Sequence, residues 1–188
     1  MKTLILNSCK PEDKFAQGIL SELMSMLSES GEPPCKIDLA GKRIADCTGC
    51  FRCWTKTPGE CTIKDDAPAI TALMATSDWI VFFCPVVFGG FHPDLKRVIE
   101  RSISLLLPFM RVYKGEMHHD VRYRKNYQLC GVGILDRTDP ESDASFRKRI
   151  NRLSLNFNGL KYTAGTVVRD SEDVSAALGS ILMNRVTL

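Results

Sequence analysis

Apolar positions along this chain follow two periods, and their succession predicts strands alternating with helices. Lys2-Thr3-Leu4-Ile5-Leu6-Asn7 opens with a short apolar run, a first strand. Phe15, Ile19, Leu23 and Leu27 then recur every four residues, with Ala16, Leu20 and Met24 beside them. That stripe predicts an amphipathic helix, which Gly31-Glu32-Pro33-Pro34 ends. Cys35-Lys36-Ile37-Asp38-Leu39 alternates and predicts a second strand. From Ala40 to Asp65 no period is sustained. Asp66 then reads as the N-cap of a helix through Ala69, Ile70, Leu73 and Met74.

Asp78 to Cys84 is almost unbroken in its apolar character, as in a strand buried on both faces of a parallel sheet. Pro93 suits the first turn of a helix whose Leu95, Val98, Ile99, Ser102, Leu105 and Leu106 face inward. Pro108 to Asn126 reads as a long polar and aromatic connection. Tyr127 to Leu135 predicts a fourth strand, Ser142 to Phe157 a basic amphipathic helix, Lys161 to Arg169 a last strand, and Ser171 to Asn184 a C-terminal helix. Five strands alternating with helices define an α/β chain with a doubly wound five-stranded parallel sheet and helices on both faces. Ligands of such sheets bind beyond the carboxyl ends of the strands, at the switch point. Three loops lie there: Ser8 to Lys14, Pro85 to Gly90, and Asp136 to Ser142.

The 188 residues, 44% of them hydrophobic, suit a single domain spanning 1–188, with 40–65 as a cysteine-containing insertion. A net charge of +3, from 25 basic and 22 acidic residues, argues against a nucleic-acid partner or an anionic membrane surface. No export signal or membrane span is expected: the first apolar run ends at Asn7, and Trp79 to Phe91 is interrupted by Pro85, Gly89 and Gly90. The expectation is a cytoplasmic chain, in which clustered cysteines mark a metal or redox site more often than a disulfide scaffold. Cys47, Cys50, Cys53 and Cys61 cluster; Cys9, Cys35, Cys84 and Cys130 are scattered. Cys84 and Cys130 lie in apolar runs and read as small core residues.

Two segments carry a family resemblance. Pro85-Val86-Val87-Phe88-Gly89-Gly90, followed by Leu95-Lys96 and Glu100-Arg101, resembles the second flavin loop of the NAD(P)H-dependent FMN reductases. Cys47-Thr48-Gly49-Cys50-Phe51-Arg52-Cys53-Trp54, then Cys61 and Asp65-Asp66, resembles the compact cysteine motif of the iron–sulfur flavoproteins. It is also similar to related oxidoreductases that keep such cysteines without a demonstrated cluster. The resemblance implies a flavodoxin-like fold, FMN as cofactor, NAD(P)H as donor, and a homodimer or higher homo-oligomer whose interface completes the flavin pocket. It further implies an electron acceptor that is a small molecule, such as a quinone or free flavin, or a protein.

On this reading Pro85, Val86, Val87, Phe88, Gly89 and Gly90 hold the ring, because glycines let a backbone approach a flat ligand. Val87 stands where a stacking aromatic is frequent. Ser8, Cys9, Lys10, Lys14 and Ala16 fall at the phosphate end. There the loop departs from the usual Gly, Ser and Thr before a helix N-terminus: Ser8 and Cys9 stand where glycine and serine are common, Ala16 where a hydroxyl is, and Glu12 and Asp13 add negative charge. A chain that has lost FMN is therefore the flavin-free alternative.

The C-x2-C-x2-C spacing of Cys47, Cys50 and Cys53, closed by Cys61, can wrap a [4Fe–4S] cubane. Zinc, or four reduced thiols with or without an adventitious disulfide, remains open beside it. Arg122, Arg124 and Lys125 are candidates for a nicotinamide phosphate or simply a solvated basic loop; His92 reads as a cap or flavin-side residue. His118 and His119 are adjacent, so in regular structure their side chains diverge. No hydrolytic constellation is recognisable and no catalytic acid or base is assigned, since a flavin carries the hard chemistry. An electron-transfer module carrying both flavin and cluster is the second function class.

Overall fold

Strand residues alternate between two apolar layers, and that alternation sets the architecture. The computed structural model describes residues 1–29, 32–123, 125–169, 171, 173–184 and 186–187, so Gly31, Arg124 and residue 172 lie outside the described residues. In chain order the elements are β1 (Thr3–Asn7), α1 (Lys14–Ser28), β2 (Cys35–Asp38), a one-turn α2 (Arg52–Thr55), α3 (Ala67–Thr76), β3 (Trp79–Pro85) and α4 (Pro93–Arg101). A 3-10 turn (Ser102–Leu105) leads to β4 (Leu106–Tyr113), β5 (Glu116–Val121), β6 (Gln128–Leu135), α5 (Pro140–Asn156), β7 (Lys161–Val168), α6 (Val174–Met183) and β8 (Val186–Thr187).

The main sheet has the order β2-β1-β3-β6-β7-β8. Its first five strands pair in parallel, and β8 adds a two-residue antiparallel edge. The five parallel strands are the five expected. On one face Ile5, Val81, Phe83, Cys130 and Val132 meet Ala16, Ile19, Leu20 and Leu23 of α1 and Leu178 and Ile181 of α6. On the other, Leu4, Leu6, Ile80, Phe82, Cys84 and Leu129 meet Ile70 and Met74 of α3, Leu95 and Val98 of α4, and Phe146 and Ile150 of α5. Helix α5 sits so close that a Cβ on Gly131 would lie 2.5 Å from Ile150 Cγ1. Cys84 and Cys130 are fully buried, as their apolar runs implied.

The expected connection from Pro108 to Asn126 is instead mostly an antiparallel hairpin of β4 and β5, with Val112 opposite Met117 and Met110 opposite His119. A register shift between Leu106 and Met110, beside Pro108, breaks the alternation that would have announced it. Asp66 does take the N-cap position of α3, but its carboxylate accepts the Arg43 N–H at 2.7 Å rather than capping. The Ala67 N–H goes to Asp65 Oδ1 at 3.0 Å.

Candidate functional site

The sheet order reverses between β1 and β3, so the crevice beyond their carboxyl ends is the place where this topology holds a ligand. One wall follows β3. Val87 and Gly90 exchange two main-chain hydrogen bonds, at 3.0 and 2.9 Å, across a two-residue turn. Phe88 (φ 48°) and Gly89 (φ 66°) form its tip, both left-handed as a type I′ turn requires. Glycine adopts that conformation freely, whereas for phenylalanine it costs about 1–2 kcal/mol. Phe88 is 99% exposed, so its side chain contributes no packing among the described residues to offset that strain. The base of the turn is fixed: Val86 N–H donates to Ile134 O at 2.9 Å, Arg149 Nε to Gly89 O at 3.0 Å, and Gly89 is buried against Ser145. The Phe88 and Gly89 N–H groups have no protein acceptor among the described residues. A rigid base, an exposed apolar tip and free amides fit the edge of a flat conjugated ring.

The other wall follows β1, and it is satisfied from within. Ser8 N–H donates to Phe83 O at 3.0 Å and Cys9 N–H to Asn7 Oδ1 at 2.9 Å. Asn7 Nδ2 in turn donates to Asp38 Oδ1 at 2.8 Å. Asp13 caps α1, taking the Ala16 N–H at 3.1 Å. Arg169, at the end of β7, grips both oxygens of that carboxylate, reaches Asp136 with Nε at 2.8 Å, and lies over the Phe15 ring. The Arg169 guanidinium, chiefly through its hydrogen bond, holds the Asp13 carboxyl below the usual carboxylate range. Of the residues expected at the phosphate end, Lys10 and Lys14 are exposed, while the Cys9 and Ala16 side chains are buried. Burial, then Cys84 beside it, pushes the Cys9 thiol up to about 12. Ser8 is 2% exposed and its hydroxyl has no partner. The residues present thus fit a flavin ring, while at the N-terminus of α1 the Asp13 carboxylate already holds the Ala16 N–H and the Arg169 guanidinium.

The cysteine segment forms a second centre. Cys47, Cys50, Cys53 and Cys61 line one enclosed, largely apolar cavity with Phe51, Ile63, Arg101 and Ile103. Cys53 is buried; burial first, then the proximity of Cys61, Cys47 and Cys50, raises its thiol above the usual value. Cys50 is exposed and lowered, by the Arg52 N–H and then the Thr48 hydroxyl. Among the described residues no three His, Cys, Asp or Glu converge as a single ion demands. The four thiols around one apolar cavity fit the donor set of an iron–sulfur cubane. Free space there is about 20 Å³, about one water's worth. Arg101, 1% exposed, braces both ends of the segment, donating to Asp65 (2.7 and 3.1 Å), Ala45 O (2.9 Å) and Ile63 O (3.4 Å). Phe51 stacks on Trp54, and Trp54 meets the His119 ring at a tilt of 51°, with ring centroids 5.0 and 4.9 Å apart, tying this segment to the hairpin.

The basic side chains beside the ring loop are not the expected ones. Arg122 is spent on the carbonyls of Ser104, Cys53 and Leu106, and Lys125 pairs with Asp78 at the amino end of β3. Arg124 lies outside the described residues. Lys148, Arg149 and Arg152 of α5 instead line a cavity of about 500 Å³ floored by Phe91 and Leu153, with Arg152 paired through both guanidinium nitrogens to Glu116 and Arg149 Nε given to Gly89 O. Their spacing on one helix face was the available sequence signal, but it reads equally as a solvated face. His92 caps α4, accepting the Asp94 N–H at 3.4 Å. His118 is buried against Asn156 and Glu116 while His119 faces Trp54, so the pair diverges as expected.

A parallel sheet of this order, with its switch point between β1 and β3, defines a flavodoxin-like α/β fold. The family model for NADPH-dependent FMN reductases matches residues 1–118, and the chain belongs to that family. An iron–sulfur flavoprotein of Methanocaldococcus jannaschii is 35% identical over 105 residues, 56% of this chain and 53% of that protein. One from Archaeoglobus fulgidus is 29% identical over 110 residues, 58% of this chain and 55% of its own. The chain spans about half the length of these curated relatives. Among solved structures, an NAD(P)H:quinone oxidoreductase from Methanothermobacter marburgensis superposes with a TM-score of 0.68 at 15% identity, over 97% of this chain and 94% of the other. An FMN-dependent NADH-azoreductase from Bacillus anthracis, in complex with FMN, gives 0.63 at 11% identity, over 96% and 95%. At such identities the likeness speaks for the fold.

Proposed function

We propose that this chain is a flavin-dependent NAD(P)H oxidoreductase that takes FMN in the switch-point crevice and passes electrons to a quinone, a flavin or a protein acceptor. The observation that carries it is the turn at Phe88 and Gly89: a strained, solvent-facing aromatic on a braced base, with two free amides. A bound flavin would supply hydride acceptance and electron delivery. The chain's share is to present the ring edge to the Phe88 and Gly89 amides, and to hold Val87 and Phe88 against a ring face. The cationic cavity on α5 offers a seat for the donor's phosphates, with Phe91 beneath. Family membership supports FMN, and the quinone oxidoreductase and azoreductase neighbours support small-molecule acceptors. No helix among the described residues is long and apolar enough to cross a membrane. The hairpin leaves Met110, Val112 and Met117 exposed on one face, which supports a homodimer or higher homo-oligomer. The test is steady-state oxidation of NADH and NADPH with FMN and a panel of acceptors. Absence of turnover with every combination would overturn the reading.

The cysteine cavity favours a second reading, an iron–sulfur flavoprotein in which Cys47, Cys50, Cys53 and Cys61 hold a [4Fe–4S] cluster. Four thiols on one apolar cavity support it. Anaerobic purification and reconstitution, followed by iron and sulfide analysis, decides it; neither element bound would remove the cluster from the account.

A further inference from the structure

Opposite the wall assigned to a flavin ring is a loop several of whose N–H groups already have internal acceptors. A helix N-terminus holds a ligand phosphate through unsatisfied N–H groups. In the loop before α1, and at Ala16 in its first turn, such groups are taken up internally. Ser8, Cys9 and Asp13 donate to Phe83 O, Asn7 Oδ1 and Lys10 O, and Ala16 donates to the Asp13 carboxylate. Arg169, which reaches this end from β7, is bound in a two-pronged pair to the same carboxylate and then to Asp136. Lys10 and Lys14 are exposed, and Glu12 and Asp38 add further negative charge. Yet this end is not simply closed: Ser8, 98% buried by the complement of its 2% exposure, keeps an unpartnered hydroxyl in the same loop. A buried hydroxyl without a partner is uncommon and points to a ligand atom.

We infer that the Asp13 carboxylate is the resident anion of the flavin-phosphate position, so that this chain takes flavin as an exchanging ligand and does not favour FMN over riboflavin. The inference rests on the flavin reading above. A phosphate monoester carries between one and two negative charges near neutral pH. Placed at α1 it would have to displace Asp13 from both the helix amides and Arg169, or sit beside a second anion in a partly buried site. Riboflavin's ribityl chain ends in a hydroxyl and meets no such conflict; it can pair with Ser8 instead. A flavin held by its ring alone is held weakly, which suits a substrate flavin that leaves after reduction better than a resident prosthetic group.

The experiment compares riboflavin and FMN binding, by flavin fluorescence, to the full chain and to Asp13→Asn. Asparagine keeps the N-cap and removes the charge, and Asp136 still holds Arg169. Asp13→Ser, a second neutral cap, guards against a variant that fails to fold, and thermal melts of all three verify the fold. The expected result is riboflavin and FMN affinities within about threefold for the natural chain. Each variant then tightens FMN at least about tenfold and leaves riboflavin unchanged, a difference of one decade in Kd. FMN bound tenfold or more tighter than riboflavin by the natural chain overturns the inference and spares the flavin reading. So does an FMN affinity that removal of the carboxylate does not improve. No binding of either flavin by any of the three proteins overturns both.

Discussion

Arg101 and Asp65 offer the sharpest test of how the cysteine segment is held. Both side chains are nearly removed from solvent, at 1% and 9% exposure. The guanidinium reaches Asp65 twice and the carbonyls of Ala45 and Ile63 once each; the carboxylate also accepts the N–H groups of Ala45 and Ala67. Burial works against the charge on Asp65, but Arg101 and these two amides outweigh it and hold the carboxyl below the usual range. Asp65→Ala would leave the guanidinium buried without a counter-charge, which costs about 3–5 kcal/mol. For a chain of this size each kcal/mol lowers Tm by roughly 2–4 °C, so a fall of about 6–20 °C is expected. Arg101→Met replaces the cation with an apolar chain of similar length but leaves Asp65 with two backbone donors, so it should cost less. The double variant should cost well under the sum, because each single change includes the penalty of stranding the other partner. Urea denaturation of the four proteins measures this cycle. A loss under about 1 kcal/mol for Asp65→Ala, or strict additivity, would refute a desolvated, mutually dependent pair.

The pair also has a pH signature. Asp65 has its carboxyl lowered in the folded state, so its contribution is present above the unfolded carboxylate value near ~3.9 and is lost as pH falls through the folded one. Stability should therefore fall from about pH 4 downward, and less steeply in Asp65→Asn.

Three further outcomes follow from local geometry. In cluster-free protein, iodoacetamide should label exposed Cys50 first, because its thiol is lowered; Cys9 and Cys84, both raised to about 12 by burial, should resist until unfolding, and equal rates by mass spectrometry would contradict this. Gly131→Ala places a methyl 2.5 Å from Ile150 Cγ1 and should destabilise by about 1–3 kcal/mol in urea, whereas a neutral result would mean α5 stands off the sheet. Val112→Asp on the exposed hairpin face should shift light-scattering mass toward monomer while leaving the far-UV circular dichroism of the folded chain unchanged, and an unchanged mass would place any interface elsewhere.

What was legible in the sequence was whatever a local period could carry. The run from Trp79 to Cys84 announced a strand buried on both faces, and the stripe from Ala16 to Leu27 a helix packed on the sheet. The hairpin escaped because its apolar face meets solvent: Phe109, Met110, Val112 and Met117 are exposed, and Pro108 interrupts the ladder. The turn after β3 was legible as two glycines after a buried strand, though not that Phe88 would be the strained residue. Lys148, Arg149 and Arg152 were hidden for the opposite reason, since cations on one helix face are what any solvated helix shows.

Asp13 illustrates the deepest limit of local reading. Next to Glu12 and before an apolar stripe, it reads as a charge favouring a helix N-terminus, and it does cap α1. Its larger consequence comes from Arg169, 156 residues later, which only the parallel alignment of β1, β3, β6 and β7 carries to the same end of the sheet. The family match covers residues 1–118 and so includes Asp13 but not its partner. The fold therefore puts the switch-point crevice beside α1, and a single long-range ion pair sets the charge at that helix end. Family membership alone argues for FMN at this place; the geometry of Asp13 and Arg169 argues that its phosphate is the part this chain has replaced.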